Sequence, residues 1–178
     1  MTAIAEMILG IHEHLDAAAV PHAFGGALAL AWCTFAPRGT SDIDLNVFLP
    51  EARAQRVVDA LPGDVAWSER EVELLVRDGQ VRLWWETTPI DVFLNTTDFH
   101  LAAAARATHH DFAGVSVPFL SCADLAVFKA FFNRLRDWAD LEAMLAAGTI
   151  DVAWVIGTLV EHLGPDDERV ASLLRLTA

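Results

Sequence analysis

The stretch that decides the fold is Phe24 to Phe48, FGGALALAWCTFAPRGTSDIDLNVF. Gly25-Gly26 opens a run of small apolar residues of helical character. A loop with Pro37 and Gly39 follows, and then an aliphatic run carries Asp42 and Asp44. Residues two apart on a strand share a face, so the two carboxylates stand together. Each is hard to ionise beside the other. A divalent cation removes that conflict, and an oxygen-only ligand set suits Mg²⁺, with phosphate oxygens completing its shell. Glycines between a strand and a helix let backbone amides approach phosphate, and the helix N-terminus favours negative charge. The plain alternatives are a tight strand-helix turn for Gly25-Gly26 and a solvated strand edge for the acids. The combination favours a holder for a metal-bound nucleoside triphosphate.

Upstream, Ile4, Ile8, Ile11 and Leu15 recur at helical spacing, which predicts a helix over residues 2–19, capped by Thr2 and ended by Pro21. A short strand, His22 to Phe24, leads into the glycines. The spacing then predicts a helix from Ala27 to Thr34, a loop from Phe35 to Ser41, and a strand from Asp42 to Leu49. Pro50 is suited to the first turn of a helix reaching about Leu61.

Residues 72–94 read as a β-meander. VELLVR, Asp78-Gly79 and QVRLWW form a hairpin pattern, and IDVFLN pairs next. In such a strand Trp84 and Trp85 face opposite sides, and one of them could stack on a base. Asp98 is read as the cap of a short helix to about Ala107. His109-His110 invites a metal reading, but neighbours on an extended segment point apart, which favours surface or partial burial. Ser121 and Asp124 form a capping box. Two helices then run to about Ala147, with Gly148 as the stop. A helix over 150–163 ends at Gly164-Pro165, and a last one covers 166–176. The fold class is α+β: a mixed sheet flanked by helices, then a helical C-terminal part.

A chain of 178 residues is one domain, or one domain with a helical extension, and 54% hydrophobic residues can fill a sizeable core. Cys33 and Cys122 sit in apolar runs and read as small buried hydrophobes rather than a disulfide or a metal site. No leader pattern is visible, and no apolar run reaches the about 20 residues of a membrane span. The expectation is a cytoplasmic protein with no membrane partner.

The net charge of −13 argues against nucleic acid on a simple count. The acid is concentrated, however: Asp137 to Glu168 holds eight carboxylates and no Lys or Arg. A basic lane using Arg53, Arg56, Arg70, Arg77 or Arg82 stays open. Lys129 is the only lysine, which invites a functional reading.

Gly25, Gly26, Asp42 and Asp44, with Asp91 in PIDVFLN, resemble the minimal nucleotidyltransferase fold of the DNA polymerase β-like superfamily. A second block, LSCADLAVFKAFFNRLRDWADLEAML, resembles the AbiEii-like toxin branch through Lys129, Arg136, Asp137 and Asp140. The resemblance implies a single nucleotidyltransferase domain over 1–178, with residues 1–115 as catalytic core and 116–178 as a helical part. It implies transfer of a nucleoside monophosphate from an NTP to an acceptor hydroxyl. Asp42, Asp44 and Asp91 would hold Mg²⁺, two ions about 4 Å apart, and Asp91 would serve as general base.

Lys129 would contact the nucleotide phosphates, its bland alternative being a snorkelling lysine on an aromatic face. Asp137 would belong to the catalytic site and Asp140 to the scaffold; both could instead pair with Arg134 or Arg136. Arg38 in the loop could clamp the triphosphate, and Ser41 would lie at the nucleotide. Thr40 and Ser41 are read as turn hydroxyls, placed where phosphorylation would block the site. The toxin branch suggests a tRNA end as acceptor and an antitoxin as partner. Enzymes of this fold that modify lincosamides or aminoglycosides are the alternative, with a small cationic acceptor. A non-catalytic binding module is the remaining reading.

Overall fold

The protein, analysed as a computed structural model, is described over residues 3–177. The expected Thr2 cap lies outside the described residues. Helix α1 (Ile4–Ala17) buries Met7, Ile8, Ile11 and Leu15, the stripe seen in the sequence, and Glu6 reaches back to the Ala3 N–H at its start. Strand β1 (His22–Phe24) is wholly buried, and α2 (Gly26–Thr34) begins at the second glycine. Strand β2 (Ile43–Pro50) starts just after Asp42. Pro50 ends this strand rather than opening a long helix. A 3-10 turn (Glu51–Arg53), the short α3 (Ala54–Asp59) and β3 (Val65–Ala66) follow.

The expected meander is corrected at its first strand. Residues Glu69–Asp78 form helix α4, not a strand. Ser68 is its N-cap: the Ser68 N–H donates to Glu71 Oε2 at 2.9 Å, closing a capping box. Asp78-Gly79 is the helix end, not a hairpin turn. Gly79 has φ +67° and donates its N–H to the Leu75 carbonyl at 3.0 Å.

Strands β4 (Gln80–Trp85) and β5 (Thr88–Asn95) pair antiparallel as expected. Beyond α5 (Asp98–Ala103), the cap is Thr97 rather than Asp98: its hydroxyl accepts from the His100 N–H. A 3-10 turn (Ala104–Arg106) then leads to a hairpin that the sequence did not announce, β6 (Thr108–Phe112) and β7 (Val115–Phe119). The C-terminal helices are α6 (Cys122–Phe132), α7 (Leu135–Ala147), α8 (Val152–Leu163) and α9 (Glu168–Leu176). The Ser121 cap and the Gly148 stop fall where the sequence placed them.

The chain divides into two compact units. The first comprises Met1–Leu28 and Gly39–Leu120, the second Ala29–Arg38 and Ser121–Ala178. The first holds a seven-stranded mixed sheet in the order β3-β4-β5-β2-β1-β7-β6. Strand β2 runs parallel to β5 and antiparallel to β1, and β1 runs parallel to β7. Buried and open positions alternate along β4 and β5, as a strand covered on one face requires. The covered face carries Val81, Leu83, Trp85, Ile90, Val92 and Leu94. The Trp85 ring lies against Gly10 of α1, where a Cβ would stand 3.1 Å away.

The second unit packs α6 against α7, α8 and α9 around Leu125, Ala126, Leu141, Met144, Leu159 and Leu173. Cys33 and Cys122 form a disulfide within it, with Cα atoms 5.4 Å apart. This corrects the reading of two separate buried thiols. The two cysteines lie 89 residues apart, and no local pattern announces their meeting.

Candidate functional site

The open face of the sheet in the first unit carries a row of charge. Asp44 on β2 is in register with Asp91 on β5, and Asp91 is in register with Arg82 on β4. Register partners place their side chains on one face. Both carboxylates are half-buried, and Arg82 is exposed.

The glycines fix Asp44 from below. Gly25 donates its N–H to the Asp44 carbonyl at 2.9 Å. Gly26 has φ +52°, and a Cβ there would collide with the Asp44 carboxylate. Glycine is therefore required at 26 by backbone and by space together. A Cβ on Gly25 would meet the buried Asn46 amide at 2.8 Å. The Asp44 carboxylate thus occupies the N-terminal turn of α2, where a negative charge is favoured.

Asp42 lies in the bend before β2, so the pleat alone does not orient it. Thr40 does: its hydroxyl stands 2.7 Å from Asp42 Oδ1 and donates to it. Ser41 beside it is exposed. Asp91 is engaged by Arg82, whose Nε and Nη2 donate to its two oxygens at 2.7 Å each. The Arg82 guanidinium pKa is raised, chiefly by the hydrogen bonds to Asp91, then by its charge, and further by Asp42 and Asp44.

All the donors in this row are oxygens, which suits Mg²⁺, and the Asp44 cradle at Gly26 fits a site built around that carboxylate. Among the described residues, no group of three or more His, Cys, Asp or Glu side chains is gathered to hold a metal. Asp44 and Asp91 form a register pair, Asp42 lies in the bend that leads into β2, and Arg82 holds Asp91.

In the second unit, Lys129 of α6 is buried, 6% exposed. Its Nζ lies 2.6 Å from Asp140 Oδ2 and 3.5 Å from Asp137 Oδ1. Arg38 grips the same Asp140 with Nη1 at 2.5 Å and Nη2 at 3.1 Å. Asp137 is also bound by Arg134 Nε at 2.7 Å. Burial alone would push the Asp140 carboxyl up, but Arg38 and Lys129 together hold it below its ordinary range. Lys129 does not snorkel to water, and Asp140 is the hub of the network.

Three of the five arginines of the expected basic lane are engaged within the chain. Arg82 is on Asp91, Arg77 binds Asp78, and Arg56 donates to the carbonyls of Ala18 and Ala19. His109 is exposed and His110 half-buried, as neighbours on a strand should be. Trp84 is 45% exposed, two residues from Arg82 on the open face, whereas Trp85 is buried. At the other end of β1 from the glycines, His12, Asp16, His22 and His109 line a cleft of about 500 Å³. Sequence reading missed Arg82 as the partner of Asp91 and Asn46 as the support of Gly25. The β4–β5 pairing was in view, but its register is fixed by the Glu86-Thr87 turn.

No protein-family model matches the chain, and no curated protein matches it. Solved structures do. The chain is similar to the antibiotic-resistance factor ANT(2'')-Ia in complex with adenylyl-2''-tobramycin, with TM-score 0.58 and 15% identity, covering 99% of this chain and 100% of that one. A solution structure of ANT(2'')-Ia gives TM-score 0.54 and 17% identity over 97% and 90%. An antigenic nucleotidyltransferase-like protein from Paracoccidioides brasiliensis gives TM-score 0.57 and 14% identity over 94% and 92%. At such identities the likeness is one of fold: an α+β architecture shared with nucleotidyltransferase-like proteins.

Proposed function

We propose that the protein moves a nucleoside monophosphate from an NTP to an acceptor hydroxyl, releasing pyrophosphate. The observation that supports this most is the seating of Asp44 on Gly26, beside Asp42 and in register with Asp91. In this reading the amides at Gly25-Gly26 receive phosphate oxygens at the start of α2. Asp42, Asp44 and Asp91 would hold Mg²⁺, which supplies neutralising charge and polarises phosphate when bound. Thr40 orients Asp42, and Asp91 takes the acceptor proton. Ser41 lies beside the nucleotide. Lys129, Arg38 and Asp137 serve in this reading as the ion-pair network of the second unit, centred on Asp140. The remaining contribution of the chain is positioning.

For the acceptor, the Lys129, Arg136, Asp137 and Asp140 block supports the toxin-like reading, with a tRNA 3′ end as acceptor and an antitoxin as partner. A small cationic acceptor is the second reading, supported by the net charge of −13 and by the fold shared with a protein seen with adenylyl-2''-tobramycin. The test uses each labelled NTP with Mg²⁺ and either purified tRNA or a tobramycin and lincosamide panel. Label on tRNA supports the first acceptor, and label on a drug alone selects the second. Absence of label and of pyrophosphate with every acceptor, antitoxin-free, counts against nucleotidyl transfer itself.

A further inference from the structure

Among the described contacts, Arg82 meets the candidate site in an unusual way: a cation stands where the proposed chemistry needs a carboxylate free. Arg82 and Asp91 are direct cross-strand partners, joined by two bonds of 2.7 Å. Asp44 is the register partner of Asp91 on the other side, so the guanidinium stands in the same cross-strand row as both carboxylates. Its side chain is 52% exposed, against 21% for Asp91. The arm can therefore swing into water while the carboxylate stays in place.

We propose that Arg82 is a resident counter-ion of the carboxylate row, a positioning residue that holds Asp91 and releases it when a divalent cation binds. This rests on the nucleotidyltransferase reading and adds a control element to that site. The physical reason is competition for one ligand. Two carboxylates in register repel each other, and a guanidinium relieves the repulsion at the cost of occupying Asp91. An exposed ion pair is weak, so a divalent charge brought against Asp44 and its register partner Asp91 displaces it. Arg82 thereby keeps the empty row folded and makes metal capture depend on opening one ion pair. The planar fork matters, because an ammonium contacts a carboxylate as a point charge.

The probe is Mn²⁺ alone, titrated into the full chain by calorimetry and by the electron paramagnetic resonance signal of free Mn²⁺. Arg82→Gln should bind Mn²⁺ about three- to tenfold more tightly than the parent, an order-of-magnitude figure for removing a partly exposed charge. In an Asp91→Asn background the same substitution should have a clearly smaller effect, because no latch remains to open. Arg82→Lys should fall between Arg and Gln. Equal or weaker Mn²⁺ binding in Arg82→Gln overturns the proposal. So does an equal gain in the Asp91→Asn background, or no Mn²⁺ binding in parent and Arg82→Gln alike. Asp44→Asn separates the two levels: if Mn²⁺ binding survives it undiminished, the site reading itself fails. If binding is lost there yet Arg82→Gln gains nothing, only the latch fails.

Discussion

Gly26 and Asp44 are built as one piece: the carboxylate of the strand residue fills the space that any side chain at the helix start would occupy. The first prediction follows from that contact. Gly26→Ala must adopt φ near +52° and push Asp44 aside. The left-handed backbone costs about 1–2 kcal/mol, and the displaced carboxylate leaves the proposed site. Urea denaturation should show the stability loss. Labelled-NTP turnover should fall about a hundredfold, the scale seen when one positioned transition-state contact is lost. Turnover at parental level would show that the seating of Asp44 has no catalytic meaning.

Asp42→Asn and Asp44→Asn probe the acids directly. Each substitution removes like-charge repulsion and keeps the side-chain shape. Thermal stability should change little, because at Asp44 the lost repulsion is offset by the lost attraction to the α2 N-terminus, while NTP turnover under Mg²⁺ is abolished. Parental turnover in both variants would sink the assignment of the pair.

What the sequence showed and what it hid divide along physical lines. Gly25-Gly26, Asp42 and Asp44 lie within one strand-helix-strand unit, so the contact of the glycines with Asp44 is local and readable. Helix α4 was also readable, through Ser68 and Glu71, but the apolar VELLVR run and Asp78-Gly79 imitate a hairpin when the cap is overlooked. The β6–β7 hairpin has weak signals: THHDF is polar, and Pro118 is an unfavourable strand residue. Its turn sits at Ala113-Gly114, where φ is +53° and +87°. The disulfide and the grip of Arg38 on Asp140 span 89 and 102 residues, and only the folded chain brings them together.

Lys129 carries a stability prediction independent of catalysis. Removing it leaves Asp137 and Asp140, both buried, without their ammonium partner. Breaking a buried pair from one side costs about 3–5 kcal/mol. Lys129→Ala should therefore lower the urea midpoint markedly, and Asp140→Asn should lower it as well. The pH sign follows from the depressed Asp140 carboxyl. Its contribution is complete above the unfolded value of 3.8 and is lost as pH falls through the lower folded value. A Lys129→Ala variant as stable as the parent would remove the case for a structural network.

The disulfide predicts a redox-dependent stability. Unfolded without reductant, the chain should show no free thiol, and after reduction the two cysteines that the sequence holds. Reduction, or the Cys33→Ser/Cys122→Ser pair, should cost about 2–4 kcal/mol, typical of a bridge closing a long loop. Two reactive thiols in the untreated protein, with a melting temperature indifferent to reductant, would count against the bridge.

His22 sets a last, pH-dependent expectation. It is 7% exposed, its Nδ1 lies 2.9 Å from the Val20 carbonyl, and its Nε2 lies 3.0 Å from His12 Nδ1. A carbonyl only accepts, so His22 Nδ1 carries the proton, and His12 donates to the bare Nε2. Burial lowers the His22 pKa, and the neighbouring His12 lowers it further, against the opposing pull of the Val20 carbonyl and Asp16. The unfolded chain therefore takes up this proton first as pH falls. Stability from neutral His22 is complete above the unfolded value of 6.5 and is lost as pH falls toward the lower folded value. A protonated His22 would also turn its Nε2 from acceptor to donor, so His12 would have to move its own proton to Nε2 to keep the bond. Urea midpoints measured from pH 7.5 down to 5 should fall more steeply for the parent than for His22→Gln, once each is referred to its own pH 7.5 value. Parallel curves for the two would show that His22 titrates alike in the folded and unfolded chain.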